Sequence, residues 1–345
     1  MRPLPDQPLI SVLIDTYYRP AMLRHAVEAI RGQTYADLDI VLIDNGSTPE
    51  TKAVLAELEA ADSRIRLVRF TENQFSWDDP HVIVRECYNA GLAAAKGDLV
   101  FHQADDDWLA PDFFERMVAL FRENPACTTA IGVSVGVRPD GSEVSAAAAN
   151  QRPRFMPGHE MALAVIDGKP VFGSPGFCFV MRRDVLEAAG GFHDSFEQHM
   201  LYGIVAFGVT GFDSEARMYW GYHEGQLNKA LRDRGWVSLG YTRSLLDGFG
   251  LERRWAEAFG PAAARTVAEF IERQAYQSAA EIFAGCLAEL RPAAIWRSFR
   301  AAAPHLGFWK ALPAELWEQK RLFAANLLKL VGLKPLLNRL RGRGV

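Results

Sequence analysis

The chain has 345 residues and a hydrophobic fraction of 49%, which is typical of a globular protein with one large domain and an appendage, or with two domains. A net charge of −4 excludes a general affinity for nucleic acid. The four cysteines lie far apart and form no C-x-x-C pair, which argues against a zinc site and fits a reducing compartment. No apolar run is long enough to span a membrane, and the first residues lack the apolar core of a signal peptide, so we expect a cytoplasmic protein.

Strands and helices alternate through roughly the first hundred residues. Apolar, β-branched runs predict buried strands, and apolar residues at helical spacing predict the helices between them. The strands are expected over 9–14, 39–43, 65–70 and 99–101, and the helices over 23–30, 50–60 and 82–95. This alternation predicts a doubly wound, mostly parallel α/β sheet. The glycine motifs of dinucleotide-binding and P-loop proteins are absent, so those two classes lose their main support.

Three consecutive carboxylates, Asp105 to Asp107, follow the fourth predicted strand. Ligands of open α/β sheets bind outside the carboxyl ends of the strands, and adjacent acids repel each other unless a cation is present. Carboxylate oxygens suit a hard divalent cation such as Mg²⁺ or Mn²⁺. The alternative is that the acids only complement the dipole of a helix that Pro111 opens. We expect Asp107 to face solvent near that helix.

The second half of the chain continues the α/β pattern and then becomes helical near residue 236. Strands are predicted over 130–137 and 216–223, a short helix over 183–188, and an irregular loop over 146–157. From Arg291 to Val345 there are 11 Lys/Arg and 2 Asp/Glu. The last piece, 316–340, predicts two amphipathic helices broken at Gly332 and Pro335. They either pack on the domain or lie on an anionic membrane surface.

Four segments, in this order, resemble the family 2 glycosyltransferases, which have the GT-A fold. Leu9 to Pro20 resembles that family's opening strand and Thr-x-Asn-Arg-Pro turn, and 40–48 its Val-Asp-Asp-Gly-Ser segment. The stretch 89–107 resembles its Asn-x-Gly helix and D-x-D metal site. Gly190-Gly191-Phe192 and later His223 resemble its acceptor-side residues. The resemblance implies a GT-A domain over 1–235, with a nucleotide-sugar half over about 8–110 and an acceptor half over about 111–235. Residues 236–345 are expected to form a helical extension that is basic and amphipathic at its end.

Several residues depart from the family pattern. Asp15 stands where the family usually has Pro, and Tyr88 where it usually has Arg, although Arg85 lies about one helical turn earlier and is expected to reach the same space. Gln103 replaces the first acid of D-x-D. Tyr18 and Asn45 replace the usual Asn and Asp. The Glu-Asp pair that follows Gly-Gly-Phe in the family is not clearly present, which leaves the catalytic base open.

The resemblance implies transfer, with inversion, of a sugar from a nucleoside-diphosphate sugar, UDP-sugar favoured, to a hydroxyl group. Mn²⁺ or Mg²⁺ is the implied cofactor, with Asp105 as principal ligand and Asp106 and His223 as further candidates. The implied donor-binding residues lie at the strand ends and in the Asn-x-Gly helix, and they are Thr16, Tyr18, Arg19, Asp44, Asn89, Gln103 and Asp105. For the general base, Glu197, Asp194 and His199 remain candidates, and Glu197 is favoured because it lies deep in the segment after Gly-Gly-Phe, where the family places its acid.

The implied partners are the nucleotide-sugar donor, a saccharide or lipid-linked acceptor, and an anionic membrane surface on the inner face of the plasma membrane, in polysaccharide or glycolipid synthesis. Two other functions stay open. A sugar-phosphate nucleotidyltransferase has a similar sheet, but would want a glycine-rich loop after the first strand, and Asp15 to Pro20 has no glycine. A non-catalytic sugar-nucleotide or glycan-binding module would explain the departures at Gln103 and Tyr88.

Overall fold

The chain divides after His223 into an α/β unit and a helical unit. This computed structural model describes residues 2–144, 153–169 and 178–330. The α/β unit begins with β1 (Ile10–Thr16), α1 (Pro20–Arg31), β2 (Leu38–Asn45), α2 (Pro49–Ala61), β3 (Ile65–Phe70), α3 (Asn89–Ala94), β4 (Leu99–Ala104), β5 (Asp107–Leu109) and α4 (Phe113–Glu123). It continues with β6 (Cys127–Val137), β7 (Glu143–Val144), β8 (Phe155–Pro157), α5 (Gly158–Ile166), β9 (Phe179–Arg182), α6 (Arg183–Ala188), α7 (Phe196–Gln198) and β10 (Val209–Gly221).

These strands form one sheet in the order β3-β2-β1-β4-β9-β6-β10-β5, with β7 and β8 paired at its side. The strands β3, β2, β1 and β4 are mutually parallel, as the βαβ alternation requires. β9 then enters antiparallel between β4 and β6, so the sheet is mixed rather than mostly parallel. The predicted α/β class with a helical C-terminal region is confirmed.

Burial on both faces explains the apolar strands of the parallel half. Every residue of β2 is buried, and so are the apolar positions of β1, because helices cover the sheet. On α1 the buried residues are Leu23, Ala26, Val27 and Ile30, which are the positions that the helical spacing predicted. In register, Thr16 of β1 lies opposite Asp44 of β2, and Asp15 lies opposite Ala104 of β4. The carboxyl ends of these three strands therefore meet at one edge.

The helix predicted over 82–95 is confirmed in its extent, because helical residues run without a break from 82 to 94. Its middle, Val84–Tyr88, is a π-helical turn, and α3 follows it directly. The π-turn shifts the side chains by one position, and such turns recur at functional sites. The helix predicted to open at Pro111 begins at Phe113, because the Pro111 carbonyl accepts a hydrogen bond from the Thr34 amide at 2.8 Å and is held outside the helix.

The loop predicted over 146–157 is partly a strand. Residues Phe155–Pro157 pair antiparallel with β10, since β10 begins at Val209, earlier than the sequence predicted, and offers them an edge. The remainder, 146–152, lies outside the described residues.

The helical unit contains α8 (Leu227–Asp233), α9 (Leu239–Arg243), α10 (Leu251–Phe259), α11 (Pro261–Ala288), α12 (Pro292–Ala302) and α13 (Leu306–Leu330). Small residues such as Ala275 and Ala279 on α11 let Phe308 and Leu312 of α13 pack closely in its core. Among the helices described, none is long and apolar enough to cross a membrane. The predicted breaks at Gly332 and Pro335 lie outside the described residues.

A buried carboxylate ties together the strands at the end of the sheet opposite the converging strand ends. Asp39 accepts hydrogen bonds from Ser11 at 2.6 Å, from the Lys96 amide at 2.9 Å, and from Arg66 at 2.7 Å. Burial alone raises the pKa of Asp39, but these bonds outweigh it and hold the pKa below its ordinary value. The ionised form is therefore the one that stabilises the fold.

Replacing Asp39 by Asn (Asp39→Asn) should lower the free energy of unfolding by about 1–3 kcal/mol at pH 7. Because the folded-state pKa is depressed, the wild-type contribution is present above the unfolded pKa and is lost as pH falls through the folded pKa. Urea unfolding at a series of pH values should show the difference shrinking in acid. The control is Asp37→Asn, because Asp37 lies two residues earlier, just before β2, and its side chain is not part of this network. A pH-independent difference would contradict this account.

Candidate active site

Two carboxylates and three partners meet where β1 and β4 end. Thr16 donates its hydroxyl to Oδ2 of Asp105 at 2.7 Å. One guanidinium nitrogen of Arg19, Nη1, lies 3.0 Å from Oδ1 of Asp105 and 2.8 Å from Oδ2 of Asp106. His223, which follows β10, places Nε2 2.7 Å from that same Asp106 oxygen. The sequence predicted all five residues for one site, and the structure brings them together.

The site carries more negative charge than its one guanidinium balances. Burial raises the pKa of Asp105 to about 7; Arg19 opposes that rise, while Asp15 and Asp106 add to it. The pKa of Asp107 lies well above its ordinary value for the same reasons, burial first and then its two acidic neighbours. A further positive charge at this edge would therefore lower the electrostatic free energy of the site.

The carboxylate oxygens at this edge are of the kind that bind a divalent metal ion, with phosphate oxygens of a substrate as further ligands. No cluster of three or more acidic, His or Cys side chains is arranged as a complete cage among the described residues. However, Asp105 and Asp106 both contact one nitrogen of Arg19, so their oxygens converge on a single point that already holds positive charge. Ions such as Mg²⁺ take one or two carboxylates and complete their shell with water and substrate phosphates.

The expectation that Asp107 faces solvent is wrong. Only 7% of its surface is exposed, because it begins β5 and pairs with Trp220 of β10. Gln103 is also buried, and its side-chain Nε2 donates to the backbone oxygen of Asp107 at 3.1 Å. Oδ1 of Asp107 and Oε1 of Gln103 have no hydrogen-bond partner among the described residues. Gln103, which stands in place of the first D-x-D acid, thus stabilises through this hydrogen bond the turn that carries the three acids.

The β2 edge presents Asp44, which is buried in the Asn45-Gly46 turn. Its Oδ1 accepts the Ser47 amide at 2.7 Å, while Thr48, not Asp44, caps α2. Its role in binding a nucleobase stays a prediction. Nearby, Tyr18 is about half exposed, and the Arg19 guanidinium carbon lies 5.3 Å from the centre of its ring. Tyr18 is therefore at the surface of the site, not in the core.

Two departures from the family pattern contact each other. The Tyr88 hydroxyl donates to Oδ1 of Asp15 at 2.6 Å. Burial raises the pKa of both groups, and for Asp15 the Tyr88 bond opposes that rise. Arg85 does not reach this space, contrary to expectation: it pairs with Asp194, its Nη1 lying 2.7 Å from both carboxylate oxygens. A single sequence gives no signal for the Asp15–Tyr88 pair, because its members lie far apart in the chain.

The three candidate bases lie in different environments. Asp194 is held by Arg85, and only 1% of His199 is exposed, with its ring stacked on His193 at 5.3 Å. Glu197 lies in α7, and its side chain is outside what the structure describes. The choice among these three stays a prediction.

Asn89 fixes the segment in which those acids lie. Its Nδ2 donates to the Phe192 carbonyl at 2.9 Å, and its Oδ1 accepts the Phe192 amide at 2.8 Å. Gly191 has φ of +79°, and a Cβ there would lie 2.3 Å from the Asn89 oxygen, so only glycine fits. Both polar atoms of the Asn89 side chain thus bond the backbone of the Gly-Gly-Phe turn. The contact between Asn89 and the sugar-nucleotide donor stays a prediction.

Comparison with known proteins decides the family. The model of "Glycosyl transferase family 2" matches residues 11–190, which is more than half of the chain. The chain belongs to glycosyltransferase family 2. Similar proteins include an uncharacterized glycosyltransferase of Nostoc sp., 36% identical over 115 residues, which are 33% of each protein. Another is the GalNAc(5)-diNAcBac-PP-undecaprenol beta-1,3-glucosyltransferase of Campylobacter jejuni, 33% identical over 102 residues, covering 30% of this chain and 31% of that protein.

This family 2 chain also resembles solved structures along most of its length. Staphylococcus aureus TarS 1–349 in complex with UDP-GlcNAc has a TM-score of 0.60 at 12% identity, covering 91% of this chain and 92% of that one. The mannosyltransferase PcManGT of Pyrobaculum calidifontis, in complex with GDP-Man and Mn²⁺, has a TM-score of 0.51 at 18% identity, covering 95% and 90%. At sequence identities this low, the structural likeness shows the fold alone, and that fold is GT-A, as predicted. The curated relatives are matched over only about a third of their own length.

Removing the Tyr88 hydroxyl (Tyr88→Phe) should leave the Asp15 carboxyl without its donor and lower the free energy of unfolding by about 1–2 kcal/mol. The bond lowers the pKa of Asp15, so its loss raises that pKa further. A carboxyl with a raised folded pKa costs stability as pH rises above its unfolded pKa. Denaturant titrations should therefore show a larger loss at pH 7.5 than at pH 5.

Tyr17→Phe is the matched control, since Tyr17 is exposed. Equal losses in the two variants, or a loss in Tyr88→Phe that does not grow with pH, would show that the Asp15 bond is not what Tyr88 supplies.

Proposed function

We propose that this protein catalyses transfer of a sugar, with inversion at the anomeric carbon, from a nucleoside-diphosphate sugar to a hydroxyl acceptor. The observation that carries the proposal is the convergence of Asp105 and Asp106 on Arg19, with Thr16 and His223 at the same strand edge. A diphosphate leaving group develops negative charge as its bond to the sugar breaks. This edge combines the Arg19 guanidinium, which can pair with phosphate, and two carboxylates that can hold a metal.

Asp105 and Asp106 are the residues that would hold Mn²⁺ or Mg²⁺, and the proposal includes His223 as a candidate ligand through its contact with Asp106. The ion, when bound, supplies Lewis-acid neutralisation of the diphosphate. Thr16 keeps the Asp105 carboxylate oriented, and Arg19 can pair with phosphate oxygens from the same place. The fold neighbour PcManGT was solved with Mn²⁺, which supports metal use here.

On the donor side, Asp44 is proposed to accept a hydrogen bond from the nucleobase at the end of β2, and the exposed ring of Tyr18, next to Arg19, is proposed to line the same edge. UDP is the favoured nucleotide, and the complex of the neighbour TarS with UDP-GlcNAc supports this choice, whereas PcManGT was solved with GDP-Man. Gln103 contributes by fixing the Asp107 backbone, which shapes the acidic turn.

On the acceptor side, Glu197 remains the favoured base. Arg85 occupies both oxygens of Asp194, and His199 is buried, so each is poorly placed to meet an incoming hydroxyl. Glu197 would take the hydroxyl proton while the acceptor oxygen attacks the anomeric carbon and the bond to the diphosphate oxygen breaks. Asn89, through Phe192, positions the segment that carries it.

We propose a saccharide or lipid-linked acceptor, in surface polysaccharide or glycolipid synthesis on the inner face of the plasma membrane. The C. jejuni relative is named for an undecaprenol-linked acceptor, which supports this class. A second candidate function, a non-catalytic sugar-nucleotide-binding module, is favoured by one observation: Gln103 stands in place of an acid, and its amide is used internally. The variants below separate the two.

Asp105→Asn should reduce sugar transfer and donor hydrolysis by at least about a hundredfold. Because burial raises the pKa of Asp105, a neutral amide costs the fold little, so the variant should unfold at the wild-type temperature. UDP with Mn²⁺ should raise the melting temperature of the wild type and not of the variant. Asp112→Asn, which changes a partly exposed acid paired with Arg116 just downstream, is the control. Wild-type activity in Asp105→Asn would refute the metal assignment.

Glu197→Gln should lower turnover by about 10²–10⁴-fold while the donor-induced thermal shift is retained. Glu187→Gln, on the neighbouring helix α6, should leave turnover unchanged. The same assays on Asp194→Asn and His199→Gln complete the series. If donor binds to the wild type but no released nucleotide is detected, the binding-module function is the correct one; if Glu197→Gln turns over normally, the base is another residue.

A further inference from the structure

The last described helix carries an apolar stripe on its outer face. All but the last of its members lie three or four residues from another member along α13, and the last lies on the same face about three turns after Leu316. They are all exposed, and they are Leu306, Trp309, Pro313, Leu316, Trp317 and Leu327. The exposed fraction reaches 70% for Leu306 and 67% for Trp317. We call these six residues the α13 stripe.

The stripe is not the face by which α13 packs in its own unit. Phe308 and Leu312, on the other side of the helix, are buried in the core formed with α9, α11 and α12. The helix therefore has two apolar faces, of which its own unit covers one. Contiguous exposed apolar surface of this kind marks a site of interaction with a partner or a membrane.

Aromatic residues of the neighbouring helix extend the stripe. Phe299 of α12 lies with its ring centre 6.0 Å from that of Trp309 and 6.5 Å from that of Trp296, which is 65% exposed. The Trp309 indole donates to the Ala303 carbonyl at 2.9 Å, which fixes the ring at the surface. Tryptophan with an apolar body and a polar N–H is the residue enriched where hydrocarbon meets water.

Cations border the stripe, and acids do not. Lys310, Lys320 and Arg321 are exposed beside it, and Nζ of Lys320 lies 3.2 Å from the centre of the Trp317 ring. The two acids of the helix, Glu315 and Glu318, lie on the side away from the stripe by helical geometry. Between residues 291 and 330 the sequence has seven Lys/Arg and two Asp/Glu.

We propose that the α13 stripe is a docking surface for an anionic phospholipid bilayer. Trp and Leu would enter the headgroup region while Lys310, Lys320 and Arg321 pair with lipid phosphates, the arrangement of helices that lie in a membrane surface. A second copy of the chain fits less well, because a symmetric pair of stripes would bring cationic borders against each other. The inference is independent of the donor and of the catalytic residues.

Vesicle sedimentation with the full chain tests the proposal without any sugar nucleotide. The wild type should sediment with phosphatidylcholine vesicles that contain phosphatidylglycerol and not with phosphatidylcholine alone, and salt should weaken the binding. The double variant Trp309→Ser/Trp317→Ser should bind at least about tenfold more weakly. Trp77→Ser, which removes an exposed tryptophan of the α/β unit, should bind like the wild type.

A charge series gives a second measurement that keeps the stripe intact. Lys310→Gln, Lys320→Gln and Arg321→Gln should each weaken binding to anionic vesicles about fivefold, and Lys52→Gln on α2 should not. Equal binding to neutral and anionic vesicles, wild-type binding by the double tryptophan variant, or no sedimentation of the wild type would each overturn the proposal. So would light scattering that shows a dimer of the wild type and a monomer of the tryptophan variant.

Discussion

The contact of one Arg19 nitrogen with two carboxylates is the interaction around which the candidate active site is built. Asp105 and Asp106 come from the end of β4, and Arg19 from the turn after β1. Neither acid would be stable at a buried strand end beside the other without positive charge. The guanidinium balances only part of that charge, and the pKa of Asp105 remains raised to about 7, chiefly by burial. The same deficit is the basis of the proposal that this edge binds a metal and a diphosphate.

That contact depends in turn on the parallel register of β1 with β2 and β4, which brings Thr16, Asp44 and Asp105 to one edge. The register is held at the opposite end of the strands by Asp39 and its bonds to Ser11, Arg66 and the Lys96 amide. The buried network around Asp39 thus has its hydrogen bonds made, whereas the acidic network at the other end of the same strands lacks positive charge. The first network stabilises the fold, and the second is where we propose that the ligand binds.

The departures from the family pattern fall into two kinds. Asp15 and Tyr88 form a pair, so each explains the presence of the other beside the acidic turn. Gln103 has a structural role, since its side-chain amide donates a hydrogen bond to the backbone oxygen of Asp107, in the turn that also carries Asp105 and Asp106.

The amino-acid sequence was enough to predict the α/β class and the parallel half of the sheet, and its resemblance to family 2 predicted that Thr16, Arg19, Asp105, Asp106 and His223 lie together. Strand burial and helical spacing are local properties, and in a parallel sheet the carboxyl ends of neighbouring strands meet at one edge. The contacts of each side chain were set by the tertiary structure alone. It buried Asp107 by pairing β5 with β10, turned Arg85 toward Asp194 and joined Tyr88 to Asp15. Those outcomes depend on contacts between residues distant in sequence, whose partners no local pattern specifies.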